Sequence, residues 1–239
     1  MSARNTAALQ YLDQFLSVQQ AVGQGGWVGR LASAVVNRGL AALLLLLSSP
    51  LLAWVAWRIW RVDGAPILFG HYRVGRGGRL FRCLKFRTMV RDAAPRLAAL
   101  LAADPQARAQ WARDQKLDND PRITPVGQLL RRTSLDELPQ LFNVLRGEMV
   151  LVGPRPITVP ELTRYGVHRW HYLNAAPGMT GLWQVSGRND LDYAQRVSLD
   201  RHYVEHRHLG LDLWILWRDR KSTRLNSSHS QQSRMPSSA

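Results

Sequence analysis

The stretch GLAALLLLLSSPLLAWVAW, from Gly39 to Trp57, is an uncharged apolar run that restricts the folds open to this chain. As a straight helix it would measure roughly 28 Å, close to the ~30 Å hydrocarbon core of a bilayer. Ser49 and Pro50 lie near its centre, where proline removes a backbone donor and clashes with the preceding turn. The sequence therefore predicts a membrane helix that is broken at these two residues.

Arginines lie on both sides of the apolar run, Arg38 before it and Arg58 and Arg61 after it. Positively charged flanks favour the cytoplasmic face, and a spanning helix cannot place both of its ends there. We therefore expect a re-entrant helix-break-helix, with a single-pass helix and a buried soluble helix as the alternatives. Interfacial anchoring at one end is indicated by three tryptophans, Trp54, Trp57 and Trp60.

The composition indicates anionic partners. Lysine and arginine number 32 against 17 acidic residues, a formal net charge of +15, and all but three of the 32 are arginines. Arginine suits bidentate phosphate contacts, so nucleic acid, an anionic membrane surface and phosphorylated substrates all fit this charge. The single cysteine, Cys83, excludes an internal disulfide, and no Cys/His group has zinc-site spacing.

Four regions follow from changes in composition along the chain. We predict an N-terminal extension over 1–30, a re-entrant membrane helix over 31–62 and a cytoplasmic catalytic domain over 63–218. Residues 219–239 are polar and serine-rich, which is typical of disorder.

Local patterns predict a hairpin and a helical pair. The β-like runs 66–74 and 79–88 surround the turn sequence GRGG, which favours a β-hairpin. Residues 93–116 are rich in Ala, Leu, Arg and Gln, and we expect two helices there, interrupted at Asp104-Pro105.

The C-terminal part of the chain predicts two more helices. A helix over 190–208 would place His202 and His206 on one face, either as metal ligands or, more simply, as part of a basic surface. The segment 209–217 suits either a helix lying on a membrane or a core helix.

The segment RRTSLDELPQ, residues 131–140, allows two interpretations. Ser134 and Glu137 have the spacing of a capping box at the start of a helix, which would make Glu137 structural. Alternatively, Asp136 and Glu137 lie beside one pocket at a helix start, where Arg131 and neighbouring arginines would hold phosphate. Such a cluster of carboxylates and guanidinium groups suits phosphoryl transfer.

Several motifs in sequence order carry a family resemblance: LKFRTM (84–89), DPRITPVGQLLRRTSLDELPQLFNVLRGEM (120–149), LVGPRP (151–156) and PGMTGLWQVSGRN (177–189). Together with the Ser49-Pro50 break, they resemble the bacterial sugar transferase family, the monotopic polyprenyl-phosphate phosphoglycosyltransferases. The resemblance runs from about residue 40 to 217. Members of this family usually continue with a basic, partly apolar segment, so the serine-rich tail over 219–239 looks foreign to the family and suggests an artefact. It implies an α+β fold: a small monotopic membrane protein with a re-entrant helix-break-helix, a short β-hairpin and amphipathic helices packed on the cytoplasmic membrane face.

The resemblance also implies an activity. Such proteins transfer a sugar 1-phosphate from a UDP-sugar to undecaprenyl phosphate, with Mg²⁺, and release UMP. We expect a hexose, with galactose and glucose as candidates, and a role in starting exopolysaccharide, O-antigen or capsule assembly. The implied location is the bacterial inner membrane. The protein would contact the membrane lipids, and its catalytic domain would lie in the cytoplasm.

Residue roles follow from the same resemblance. Asp136 takes the place of the nucleophile that forms a covalent phosphosugar intermediate, and Glu137 that of its partner, supporting the metal or a proton transfer. Both carboxylates are candidate Mg²⁺ ligands. The residues that match phosphate-binding positions are Lys85, Arg131, Arg155 and Arg188.

Three other functions remain as alternatives. A membrane-anchored, non-catalytic scaffold of polysaccharide assembly would tolerate loss of the Asp136 carboxylate. A nucleic-acid binder would explain the charge, but no binding motif is present and basic residues alternate with acidic ones, so we expect no nucleic-acid partner. An enzyme transferring directly to lipid would need no covalent intermediate. Assembly into a homo-oligomer is left open.

Overall fold

The computed structural model describes residues 27–114, 117–118, 120–187 and 191–219. The first helix, α1, spans Trp27–Asp63 and carries the apolar run. Within the described part of the chain, its Leu31–Asp63 portion alone is long and apolar enough to cross a membrane. Ser49 and Pro50 are helical, so the predicted break in this helix, and with it the re-entrant detail, is not confirmed.

Most of the large apolar side chains of α1 are exposed to a considerable extent. Leu46 and Leu47 are 71% and 69% exposed, and Trp54, Trp57 and Trp60 are each about half exposed. A contiguous exposed apolar surface of this kind marks a binding or membrane site in a folded protein.

The predicted β-hairpin is confirmed. Strands β1 (Leu68–Val74) and β2 (Leu80–Phe86) form a two-stranded sheet. The turn between them uses Gly77 and Gly78 at φ of 66° and 80°, a left-handed conformation that glycine adopts without steric cost.

The predicted helical pair is also confirmed. Helices α2 (Ala93–Ala103) and α3 (Pro105–Asp114) are separated by Asp104. The Asp104 carboxylate accepts hydrogen bonds from the backbone N–H of Gln106 and Ala107, so it caps α3 while Pro105 begins that helix.

The rest of the described chain consists mainly of short elements. They are α4 (Pro125–Thr133), α5 (Gln140–Arg146), β3 (Val150–Val152), α6 (Val159–Arg164), α7 (Arg169–Asn174), β4 (Gly178–Thr180), α8 (Leu182–Ser186), α9 (Tyr193–His206) and α10 (209–219). Strands β3 and β4 pair in parallel, with Val150 opposite Gly178 and Val152 opposite Thr180. The sequence analysis did not predict this second sheet.

Helix α9 lies within the predicted range 190–208. The rings of His202 and His206 stack at 4.3 Å, and His206 Nδ1 lies 3.0 Å from the carbonyl oxygen of His202. Among the described residues, no group of three or more His, Cys, Asp or Glu side chains could hold a metal ion. The simpler interpretation of these histidines, a basic helix surface, is consistent with this arrangement.

The chain divides into two compact units. One unit is made of Ser48–Phe69 and Leu84–Pro139, and we call it the dyad unit because it contains the pair of carboxylates Asp136 and Glu137, the dyad. The other, which we call the sheet unit, is made of the remaining described residues. The dyad unit has an apolar core in which the C-terminal half of α1 packs with β2 and α4; its buried members are Val55, Ile59, Phe86 and Leu130.

The sheet unit has its own core, which contains several tyrosines. Its buried cluster consists of Val74, Ile157, Tyr165, Tyr172 and Val197. The Tyr172 hydroxyl donates to the Val74 carbonyl at 2.7 Å and accepts from the Ile157 N–H at 3.2 Å, so the buried hydroxyl is satisfied.

Candidate active site

A tight turn presents the two carboxylates. Helix α4 ends at Thr133, and Ser134 follows in the left-handed conformation at φ 57°. Asp136 and Glu137 then form part of a single 3₁₀ turn, Leu135–Glu137. Neighbouring residues here do not face each other across a cleft, but both belong to the same short turn.

The predicted capping box at Ser134 and Glu137 is wrong. The Ser134 side chain makes no capping hydrogen bond, and the residue instead ends the preceding helix, its N–H directed to the carbonyl oxygens of Leu130 and Arg131. The Glu137 side chain is bound elsewhere. Capping boxes do occur at Thr158 with Glu161 and at Asp192 with Gln195.

Lys85 lies against both carboxylates. Its Nζ is 2.6 Å from Glu137 Oε1 and 3.8 Å from Asp136 Oδ2. The lysine comes from β2, 52 residues before Glu137 in the chain. Lys85 therefore binds Glu137 directly and acts on Asp136 mainly through its charge.

Asp136 is the more buried of the two carboxylates, with a side chain 13% exposed against 36% for Glu137. Desolvation raises the pKa of Asp136 above its usual value, and the charge of Glu137 adds to this rise. The charges of Lys85 and Arg131 oppose it. Asp136 is thus a poorly solvated carboxylate, and the charges of two nearby cations favour its ionised form.

Arg131 is held in place by Thr88. Its Nε donates a hydrogen bond to Thr88 Oγ1 at 2.9 Å, while much of the residue remains exposed. Desolvation lowers the pKa of Arg131, and the charges of Asp136 and Asp120 counteract this. Arginine remains protonated in either case, so the site keeps its positive charge.

Arg155 belongs to the sheet unit, and its neighbours within that unit are as follows. It lies between Pro154, which is fully buried, and Pro156, and its guanidinium carbon is 5.8 Å from the centre of the Trp183 ring. The backbone around it is tied to β4, since Gly178 N donates to the Pro154 carbonyl at 2.8 Å. The fourth candidate for phosphate binding, Arg188, lies outside the described residues.

The structure thus brings Lys85, Arg131, Asp136 and Glu137 into one unit. Sequence reasoning did not single out Thr88, although it lies inside the LKFRTM motif beside Lys85. It also overlooked Arg87, whose Nη2 donates to the carbonyl oxygens of Asp63 and Gly64 at the end of α1. The motif was the available signal, but its letters do not show which side chain contacts which.

The residues present fit a magnesium ion only in part. The dyad supplies two carboxylates, and the described residues contain no third acidic, histidine or cysteine group close enough to complete a cluster. Mg²⁺ is commonly bound by one or two carboxylates together with phosphate oxygens and water. Asp136 and Glu137 therefore fit a magnesium ion that arrives with a phosphorylated substrate.

Comparison with known proteins identifies relatives of this chain. A family model described as bacterial sugar transferase matches residues 28–224. The undecaprenyl-phosphate galactose phosphotransferase of Salmonella typhimurium is 56% identical over 177 residues, which cover 74% of this chain and 36% of that protein. The UDP-galactose-lipid carrier transferase of Erwinia amylovora is 54% identical over 179 residues, 75% of this chain and 36% of that protein.

Relatives of a more similar length also match. The exopolysaccharide production protein ExoY of Sinorhizobium fredii is 47% identical over 179 residues, covering 75% of this chain and 79% of that protein. In contrast, the alignment spans well under half the length of the Salmonella and Erwinia proteins.

Proposed function

The chain belongs to the bacterial sugar transferase family, and from that membership we propose that it transfers a hexose 1-phosphate from a UDP-sugar to undecaprenyl phosphate. UMP is the second product. The names of the relatives support both the lipid acceptor and a galactose or glucose donor. The product would begin the assembly of an exopolysaccharide, O-antigen or capsule, and the name of the Sinorhizobium relative supports the first of these.

The observation that carries this proposal is the environment of Asp136. A carboxylate that is poorly solvated is a stronger nucleophile than one surrounded by water, provided that it stays ionised. Desolvation supplies the first condition, and the charges of Lys85 and Arg131 favour the second, because both lower the pKa of Asp136 against the rise caused by desolvation. Glu137, bound to Lys85 at 2.6 Å, is less free to act as the attacking group.

In the first step, an Asp136 carboxylate oxygen attacks the phosphorus that carries the sugar. The bond from this phosphorus to the oxygen bridging it to the nucleotide phosphate breaks, and UMP leaves with that oxygen and its electron pair. The enzyme then holds the sugar phosphate as an acyl phosphate on Asp136. In the second step, a phosphate oxygen of the lipid attacks the same phosphorus and releases the carboxylate.

The neighbouring cations stabilise the charge that builds up on the transferring group. Lys85 and Arg131 lie in the same unit as Asp136 and provide N–H donors for phosphate oxygens. Arg155 and Arg188 are proposed to bind phosphate as well. When Mg²⁺ is bound by Asp136 and Glu137, it would neutralise diphosphate charge as a Lewis acid.

The acceptor is a lipid, so the protein must work at a membrane. The exposed apolar surface of α1 supplies an anchor of suitable length and composition. We propose that the anchor re-enters the inner membrane from the cytoplasmic side, which keeps the dyad where nucleotide sugars are found.

The test is UMP release by detergent-solubilised protein with Mg²⁺, undecaprenyl phosphate and a panel of UDP-sugars. We expect release with one or two sugars and a loss of at least about a thousandfold in Asp136→Asn, because removal of a nucleophile costs several orders of magnitude. Asp92→Asn is the matched control, since Asp92 is an exposed aspartate whose partner, Arg96, lies one helical turn away.

Omitting the lipid separates the covalent route from direct transfer. The proposed route predicts a burst of about one UMP per enzyme without lipid, and a mass increase of one sugar phosphate on the protein. Absence of the burst, with turnover restored by lipid, would indicate direct transfer. Normal turnover by Asp136→Asn would exclude the proposed nucleophile, and no UMP from any sugar would favour the scaffold.

A further inference from the structure

We propose that Thr88 is a positioning residue for Arg131, orienting its guanidinium for the diphosphate of the sugar donor. This inference rests on the proposed function. The carrying observation is the hydrogen bond from Arg131 Nε to Thr88 Oγ1 at 2.9 Å.

The hydrogen bond uses the Nε side of the guanidinium and leaves its two terminal nitrogens available to a substrate. Arginine has five N–H donors, and Thr88 accepts the one on Nε. The four N–H groups on the two terminal nitrogens are left for other acceptors, in the forked arrangement that matches phosphate oxygens. Thr88 therefore fixes the side of Arg131 that a bidentate anion contact does not need.

Thr88 itself is well placed to give this support. It is only 7% exposed, and its carbonyl oxygen accepts a hydrogen bond from Thr124 N at 3.0 Å. Its neighbour Met89 forms an antiparallel bridge with Ile123. At Gly127, a side chain carbon would collide with the Thr88 carbonyl, so the α4 backbone approaches this segment closely.

Without a restraint, the Arg131 side chain could move to positions that would harm the reaction. Both Asp136 and Asp120 attract it electrostatically. A long unrestrained side chain would be drawn towards either carboxylate, and close pairing with Asp136 would make that nucleophile less reactive. Asp120 is already occupied by Arg122, whose Nη2 lies 2.6 Å from Asp120 Oδ2. The hydrogen bond to the Thr88 hydroxyl keeps the Arg131 guanidinium from pairing closely with either carboxylate.

The first experiment compares Thr88→Val, which removes the hydroxyl at similar volume, with Thr88→Ser, which keeps it. In Thr88→Val we expect kcat/KM for the UDP-sugar to fall about 10- to 100-fold, the range for losing a hydrogen bond to a charged group. In Thr88→Ser it should remain within about threefold of wild type by the same reasoning. Equal activity of wild type and Thr88→Val would overturn the proposal.

A double-mutant cycle separates positioning from a purely structural role. In an Arg131→Gln background, the guanidinium that Thr88 would orient is gone. Thr88→Val should then cost less than about threefold in kcat/KM, since no hydrogen bond to a charged group remains to be lost. An equal loss in both backgrounds would mean that Thr88 supports the fold alone, and thermal unfolding of each variant records that effect separately.

Binding of UDP, measured by calorimetry, tests the inference without turnover. We expect Thr88→Val to weaken UDP binding about tenfold or more and Thr88→Ser to restore it. If wild type released no UMP from any sugar, the proposed function would fail while this measurement still decided the role of Thr88. If wild type turned over normally and UDP bound equally to all three proteins, only the positioning role would be wrong.

Discussion

Lys85 sets the charge balance at the candidate site. It forms a short contact with Glu137 and a longer one with Asp136, so one ammonium group serves both carboxylates. Its charge lowers the pKa of Asp136, against the larger rise caused by desolvation. If Asp136 must be ionised to attack phosphorus, Lys85 extends the pH range of the reaction towards acid.

The pH dependence of the transfer tests this role. Removing the charge with Lys85→Met should raise the pKa of Asp136 further, because desolvation is then opposed by one cation fewer. A higher pKa means that the carboxylate takes up its proton at higher pH. The acid limb of the kcat/KM profile for UMP release should therefore move up by about one pH unit, and the plateau should fall as well.

Lys85→Arg is the matched variant for this test, since it keeps the positive charge. We expect its acid limb to stay close to that of wild type, even if its altered geometry lowers the rate. A Lys85→Met enzyme with a lower plateau but an unmoved acid limb would show that Lys85 acts on the substrate alone. That outcome would contradict the role assigned to its charge.

At the scale of elements, local sequence patterns predicted those helices and strands whose formation depends on residues close together in the chain. The GRGG turn predicted the β1–β2 hairpin, and Asp104-Pro105 predicted the boundary between α2 and α3, in both cases through backbone preferences. The capping box failed because Ser134 closes α4, a helix that had not been recognised, in a left-handed conformation, whereas a residue that caps the start of a helix normally has an extended backbone. The β3–β4 pairing joins three-residue strands far apart in sequence, which no local pattern reveals.

The same distinction applies to the site. Motif letters placed Lys85, Arg131, Asp136 and Glu137 among the candidates, and the structure brings these four into one unit. What the letters could not give is the contact between Lys85 and Glu137 or between Thr88 and Arg131, because each pair is separated by more than forty residues. Such contacts depend on tertiary packing.

Gly127 tests how tightly α4 packs on the Thr88 segment. Alanine normally stabilises a helix relative to glycine by up to about 1 kcal/mol. At this position a new side chain carbon would collide with backbone atoms of Thr88, which cannot move aside as a side chain can. We therefore expect Gly127→Ala to lower the free energy of unfolding by about 2 kcal/mol, in the range for overpacking, measured by denaturant titration in detergent.

Gly39→Ala is the control for this substitution. Gly39 also lies in a helix, α1, but an added carbon there would meet nothing within 4 Å. Its free energy of unfolding should equal that of wild type or exceed it by up to about 1 kcal/mol, the helix preference of alanine over glycine. Equal stability of the two variants would contradict the close contact between α4 and the segment around Thr88.

At the scale of the whole molecule, the main question is how α1 sits in the membrane. The helix is continuous through Pro50, which is compatible with spanning, and its 33-residue apolar portion exceeds what a ~30 Å hydrocarbon core requires. Arginines at both ends oppose spanning, because both flanks then favour the cytoplasm. Pro50 is the position at which the helix can most easily bend, since proline weakens the ladder of hydrogen bonds there.

Cysteine labelling in cells distinguishes the two arrangements. In a Cys83→Ser background, single cysteines replace Gly29 and Asp92, exposed residues before and after the apolar run. Replacing the native Cys83 removes background labelling. Because Cys83 is buried, serine is chosen for its similar volume. We expect a membrane-impermeant maleimide to label neither position in intact spheroplasts and both after lysis, because a re-entrant α1 leaves both ends in the cytoplasm.

The opposite result is equally definite. Labelling at Gly29→Cys alone in intact spheroplasts would place that end outside and make α1 a spanning helix. Leu46→Cys, in the exposed apolar stretch, is the internal control and should resist the reagent before and after lysis, since maleimide reacts with thiolates in water. A spanning result would leave the dyad chemistry intact, because Lys85, Arg131 and both carboxylates follow α1 in the sequence, but it would require one arginine-flanked end to cross the membrane against its charge preference.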